Sequence, residues 1–322
     1  PPGARRSPSV ITTPLMPHAL AALAGIFAIL AVASIALALL AVLRPHLATD
    51  ELWLRLRSWW IMALIFALAM AASRTVSLVF LGFVSFLALK EYLSLIPTRR
   101  ADRRVLLFAY LAVPIQFYWV GIAWYGMFVI FIPVYMFLFL PLPMLIIGET
   151  KGFLRAIASL HWGLMTTVFA VSHGAFLLDL PDAVNPAAGG AGLLLFVVIL
   201  TEANDVAQYL WGKTIGGPKV IPKVSPGKTW AGVLGGIVSS ALISAAMAPW
   251  LTPMALAPAL LVGCFLGLAG FAGDVTISAL KRDLGIKDSG NILPGHGGIL
   301  DRLDSLTYTA PLFFHIIRYF YT

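Results

Sequence analysis

Charge is scarce in this chain: Asp, Glu, Lys and Arg make up 11% of its 322 residues, while 60% are hydrophobic and the mean hydropathy is +0.92. So few polar groups cannot cover a globular surface, which excludes a soluble domain. Cysteine is almost absent. Cys264 alone can form no intrachain disulfide and has no second thiol with which to share a metal, and its place in an apolar run gives it a packing role. No long hydrophilic surface accompanies the net charge of +8, because the basic residues fall between apolar runs. That pattern argues against nucleic acid and for anionic headgroups and phosphorylated ligands. Residues 1–15, Pro- and Ser-rich with Arg5 and Arg6, read as disordered or foreign to a native start at Met16.

Apolar runs long enough for a bilayer recur along the chain, which predicts an all-α, polytopic transmembrane bundle of nine to ten spans. They fall near 17–43, 59–73, 76–93, 105–121, 124–147, 157–178, 191–212, 229–250, 255–282 and 305–321. Residues 16–155 would supply the N-terminal helices and 156–322 a catalytic region, in one continuous membrane domain. The pair around Ser73 and Arg74 could instead be one broken element. With the N-terminus outside, every Lys and Arg except Arg5, Arg6, Arg74 and Arg318 falls in an inner loop. Basic loops stay on the cytoplasmic side, so this predicts a multi-pass inner-membrane protein whose polar motifs face the cytoplasm. Trp53, Trp59, Trp60, Trp119, Trp124 and Trp250 sit near span ends, as interfacial anchors do.

With only 14 acidic residues, their clustering in the last third of the chain is informative. Asp274 lies inside an apolar helix, where a charge is costly and points to function. Ser278, Lys281 and Arg282 follow at i+4, i+7 and i+8, on the same face. A structural pairing of Asp274 with Lys281 or Arg282 is the competing account. Upstream, Gly263, Gly267, Gly270 and Gly273 have the spacing of close helix packing. Downstream, Lys287-Asp288 leads to Pro294-Gly295-His296-Gly297-Gly298 and then to Asp301-Arg302-Leu303-Asp304. Glycines around a histidine let backbone N–H groups approach an anion, and carboxylates at i and i+3 can hold a divalent cation. A third element runs from Asn204 and Asp205 through Lys213, Lys219 and Lys223 to Ser225-Pro226-Gly227-Lys228-Thr229. Its end is similar to a Walker A loop, but Pro222 stands where that motif needs glycine and no strand precedes it. What remains is a basic loop suited to neutralising a triphosphate.

The run from Ser278 through Lys281-Arg282, Lys287-Asp288 and Pro294-Gly295-His296-Gly297-Gly298 to Asp301-Arg302 and Asp304 resembles the signature of the phosphatidate cytidylyltransferases. Asp205 with Ser225-Pro226-Gly227-Lys228-Thr229 resembles a second family element, and Lys90-Glu91-Tyr92 a weaker one in the amino-terminal half. The resemblance implies transfer of CMP from CTP to phosphatidate, giving CDP-diacylglycerol and pyrophosphate. It implies that Asp274 and Asp301 hold catalytic cations, with Asp205 and Asp304 as further ligands. Mg²⁺ is the expected ion, with Mn²⁺ or a monovalent cation as alternatives. Lys281 and Arg282 would act at the reacting phosphates, and His296 would position or bind phosphate. CTP and the lipid phosphate would be bound by Asn204, Asp205, Lys213, Lys219, Lys223, Ser225, Lys228, Thr229, Ser278, Lys287, Asp288, Gly297, Gly298 and Arg302. The chain departs from the family at Ile277 and Ala231, where Glu is common. Open alternatives are another lipid phosphate or lipid alcohol as acceptor, a non-catalytic relative, and a transporter; a homodimer is also open.

Overall fold

A peptide segment crossing lipid must satisfy its own backbone hydrogen bonds, and the helix does so within one segment. The computed structural model describes residues 15–44, 49–97, 99, 103–290, 292, 295 and 297–322. Among them, eight helices are long and apolar enough to cross a membrane. We label the helices α1 (Pro17–Leu43), α2 (Asp50–Ala72), α3 (Arg74–Leu95), α4 (Val105–Gly121), α5 (Tyr125–Ile147), α6 (Phe153–Leu177), α7 (Gly189–Thr214), α8 (Trp230–Leu251) and α9 (Leu256–Asp283). A single turn, α10 (Leu300–Leu303), precedes α11 (Leu306–Tyr321). The shorter α4 is also apolar, and α11 occupies the last of the expected segments. The protein is an all-α polytopic membrane bundle, and no strand occurs among the described residues.

Two boundaries and the interior of one helix differ from the sequence reading for identifiable reasons. Helix α2 begins at Asp50 and not near residue 59, because its polar first turns are helical too, with Glu51 and Arg55 paired at 2.5 Å one turn apart. Ser73 is extended (φ −170°, ψ 161°) and its Oγ accepts the N–H of Val76, so it ends α2 and caps α3. Arg74 therefore starts a new helix, where it pairs with Asp179 and donates to the Gly121 carbonyl at 3.0 Å. Helix α5 is not regular: Pro133 lacks the N–H that an α-turn needs, and the segment Phe131–Met136 widens to a π-turn around it.

The core is continuous from the N-terminal to the C-terminal half, holding Met70, Leu89 and Tyr92 together with Leu266, Ile277 and Phe313. Helices α7, α8 and α9 pack as neighbours, and α11 lies against α6 and α9. The glycine stripe of α9 faces these contacts. At Gly273 a Cβ would stand 2.4 Å from the Asp304 carbonyl, so only glycine lets the α10–α11 corner rest on α9 beside Asp274. Cys264 corrects its packing assignment: it is exposed, because the adjacent Gly263 and Gly267 occupy the packed face and turn Cys264 outward. On a membrane-spanning helix that outer side is the lipid side.

Candidate active site

Helices α3, α7 and α9 end on the same side of the bundle, and the polar residues spaced along α9 form specific pairs there. Asp274 accepts a hydrogen bond from Ser278 Oγ at 3.2 Å, one turn on. Its cation is Lys228, whose Nζ lies 2.5 Å from Asp274 Oδ2, with both side chains about one-fifth exposed. Lys228 also donates to Gln208 Oε1 at 2.9 Å. The basic loop between α7 and α8 is thus tied to α9. Pairing of Asp274 with Lys281 or Arg282 is not what forms. Lys281 turns to Asp301 instead, 2.6 Å away, and Arg282 donates to the carbonyls of Val224 and Ile286.

Asp301, on α10, is buried and heavily bonded. Its Oδ1 takes Lys281, while Oδ2 accepts the Ser289 N–H at 2.8 Å, the Ser289 hydroxyl at 2.9 Å and the Gly298 N–H at 3.0 Å. Burial opposes its charge, but these donors and the Lys281 ammonium outweigh it and hold the carboxyl below the usual Asp range. Next to it lies Glu91 from α3, also buried, which accepts the N–H groups of Ile299 and Leu300 and competes with Asp301 for the single proton of the Ser289 hydroxyl, 2.5 Å away.

Deeper in the site, Asp205 Oδ2 accepts Ser305 Oγ at 2.9 Å, while its Oδ1 is buried with no partner. Asp304 accepts the Ser305 N–H at 2.7 Å; burial, then the nearby Asp274 and Asp205 carboxylates, raise its pKa well above the usual Asp range. Arg302 lies within electrostatic reach of Asp205, Asp304 and Glu202, and its Nε is buried without a partner. Glu202, one turn before Asp205 on α7, is a site carboxylate that the sequence reading passed over. Its signal was available: an acidic residue inside an apolar span, at i−3 from Asp205.

These donors suit a hard cation that binds oxygen. Among the described residues no three carboxylate, imidazole or thiol groups close on one point. Mg²⁺ does not need such a cage, since it is commonly held by one or two carboxylates with water and phosphate oxygens completing its shell. The unpartnered Asp205 oxygen beside Asp274 and Asp304 fits that requirement.

The remaining predicted residues divide by location. Asn204 bridges helices, donating to the Gly267 carbonyl and accepting Ser240 Oγ at 3.0 Å. Thr229 caps α8 through the Gly232 N–H, and the Ser225 carbonyl accepts the Lys228 N–H to close the turn that presents Lys228. Lys213, Lys219, Lys223, Lys287 and Asp288 are exposed around the rim. Gly297 and Gly298 lie against Asp301 and Glu91. His296 lies outside the described residues.

Residues 53–320 match the cytidylyltransferase family. The chain belongs to that family. It is 46% identical over 275 residues to the uncharacterized protein YnbB of Escherichia coli, covering 85% of this chain and 90% of that protein. It is 37% identical over 161 residues to a phosphatidate cytidylyltransferase of Haemophilus influenzae, covering 48% of this chain and 54% of the relative. With a phosphatidate cytidylyltransferase of Pseudomonas aeruginosa, identity is 45% over 124 residues, or 38% of this chain and 46% of the relative. The matches therefore span about half the length of these two relatives. Within this cytidylyltransferase-family chain, Ile277 is fully buried in the main core, one turn from both Asp274 and Lys281, so an apolar contact stands where a Glu would bring a further carboxylate. Ala231 stands in the first turn of α8, half-buried.

Proposed function

We propose that the protein is a phosphatidate cytidylyltransferase of the bacterial inner membrane, with its site open to the cytoplasm. The observation that carries this reading is the junction at Asp274, where Lys228 of the basic loop pairs with α9 beside Asp304, at the end of the acidic, glycine-rich loop. The positive-inside distribution of Lys and Arg supports the orientation. The lipid substrate keeps its acyl chains in the bilayer while its phosphate reaches the rim lysines.

In the reaction, a phosphate oxygen of phosphatidate attacks the α-phosphorus of CTP. A new P–O bond forms, the bond to the β-phosphate oxygen breaks, and pyrophosphate leaves with that electron pair. A phosphate monoester has its second pKa near 6, so the attacking oxygen is already anionic at neutral pH and needs no strong base. The obstacle is the repulsion between two polyanions. Lys228, Lys281 and Arg302 offset that charge from fixed positions, and the rim lysines draw both substrates in. Asp274, flanked by Asp205 and Asp304, would hold Mg²⁺, with Asp301 offering the free lone pair of Oδ1. When bound, the ion supplies charge neutralisation on the transferring phosphate. The test is radiolabelled CTP incubated with purified protein and a panel of lipid phosphates. A labelled liponucleotide from phosphatidate, with stoichiometric pyrophosphate, is the expected result; a product from a different lipid alone reassigns the acceptor, and no product from any of them refutes the reading.

A further inference from the structure

Glu91 lies near the end of α3, far in sequence from the signature loop, and is only 6% exposed. A carboxylate so buried is costly unless its oxygens are satisfied. Among the described residues, that loop supplies their donors. Oε1 accepts the Ser289 hydroxyl at 2.5 Å and the Leu300 N–H at 3.0 Å, and Oε2 accepts the Ile299 N–H at 2.9 Å. The start of α10 has no side-chain cap from its own segment. Glu91 provides that cap from another helix, where a negative charge also suits the exposed N–H groups. The Ser289 hydroxyl stands between Glu91 Oε1 and Asp301 Oδ2, and its one proton serves one of the two carboxylates at a time. The fit depends on Gly298: a Cβ there would stand 2.1 Å from Glu91 Oε1. Among the described residues, the other polar contacts to Asp301 originate in α9 or in the loop itself, so Glu91 ties its surroundings to the N-terminal half by hydrogen bonds, while Arg55 and Leu54 of α2 pack against Gly295.

We infer that Glu91 is a positioning residue of the nucleotidyl-transfer site: by holding Ser289, Ile299 and Leu300 it fixes the loop so that Asp301 faces Lys281. The N-terminal half is then a working part of the site and more than a membrane anchor. This rests on the proposed transferase reading for its kinetic consequence, but its structural consequence does not.

Two measurements on the full-length protein in detergent test it with Glu91→Ala and the isosteric Glu91→Gln. Amide hydrogen exchange over 297–301 is expected to speed up in both variants, most in Glu91→Ala. Misplacing a reacting group by about 1 Å costs on the order of 100-fold in rate, so kcat should fall about 100-fold in Glu91→Ala. In Glu91→Gln, which keeps one acceptor oxygen, it should fall roughly 10-fold. KM for CTP should change less than about threefold in either, because Glu91 touches neither substrate in this scheme. A general loss of fold would lower the melting temperature and raise exchange throughout the bundle; if Glu91→Ala behaves so, Glu91→Gln decides. Wild-type exchange and kcat in Glu91→Gln overturn the inference, and so does a loss confined to KM. Should the wild type turn over no lipid phosphate while loop exchange still depends on Glu91, the transferase reading fails and the anchoring role stands.

Discussion

The Lys228 ammonium and the Asp274 carboxylate meet at 2.5 Å, so the loop between α7 and α8 is fastened to α9 at the one position where α9 carries an intramembrane acid. Gln208 and Ser278 hold the two ends of this pair from either side. A hydrogen bond to a charged group contributes about 1.5–3 kcal/mol. Lys228→Ala is therefore expected to lower kcat/KM for CTP about 10- to 100-fold, read as pyrophosphate release at subsaturating CTP. An unchanged kcat/KM would remove Lys228 from the site.

Asp274 and Asp301 should differ in how they fail. Both Asn variants are expected to lose turnover by more than about 100-fold, since each carboxylate would hold cationic groups, a metal ion or a lysine, against the transferring phosphate. Asp274→Asn keeps the fold, because its carboxylate is partly exposed and neighbours solvent-accessible groups. Asp301→Asn leaves Lys281, only 9% exposed, without its counter-charge. Uncompensated buried charge destabilises by about 3–5 kcal/mol, so this variant should also melt several degrees lower while still folding in detergent. Near wild-type turnover in either purified variant would refute the cation assignment.

Asp304 gives a pH signature in the presence of EDTA. Burial and the Asp274 and Asp205 carboxylates raise its pKa in the folded protein above the unfolded value. A carboxyl with a raised folded pKa contributes stability below the unfolded pKa and loses it as pH rises through the folded one. Asp304→Asn, which keeps an oxygen for the Ser305 N–H, removes that loss. Its melting temperature relative to wild type should therefore rise between acidic and mildly alkaline pH. A difference that is flat with pH would contradict the clustering of these acids.

Much of this architecture was legible in the residues, and what was not has a physical reason. Helix existence followed from apolar length, because in lipid the backbone leaves no other choice. Asp274 stood out for the same reason, as a charge in a place where packing asks for none. Partner choice was not legible. Helical spacing put Lys281 and Arg282 on the face of Asp274, yet Lys281 reaches Asp301 and the cation at Asp274 comes from another loop. Periodicity reports which residues share a face, not which distant segment fills the space before it. Glu91 carries little signal in the sequence, since a single acid at a span end has many ordinary explanations; its burial against Ile299 and Leu300 appears only once the chain is folded.

Cys264 makes the orientation testable by labelling alone. It is the chain's single cysteine and lies exposed on the outer side of α9, away from the polar cluster. A Cys264→Ser background should keep activity within about twofold, since surface substitutions usually shift stability by no more than about 0.5 kcal/mol. Into that background, single cysteines can be placed at Lys223 and at Asp182, both exposed and at opposite ends of the bundle. The loop holding Lys223 is rich in Lys, whereas the segment Asp179–Gly190 has two Asp and no Lys or Arg, and basic loops are retained in the cytoplasm. A membrane-impermeant maleimide should thus label position 182 in spheroplasts and position 223 only in inverted vesicles. The reverse pattern would put the carboxylate site on the side of the membrane where no CTP pool reaches it, and the proposed reaction would fail with the orientation.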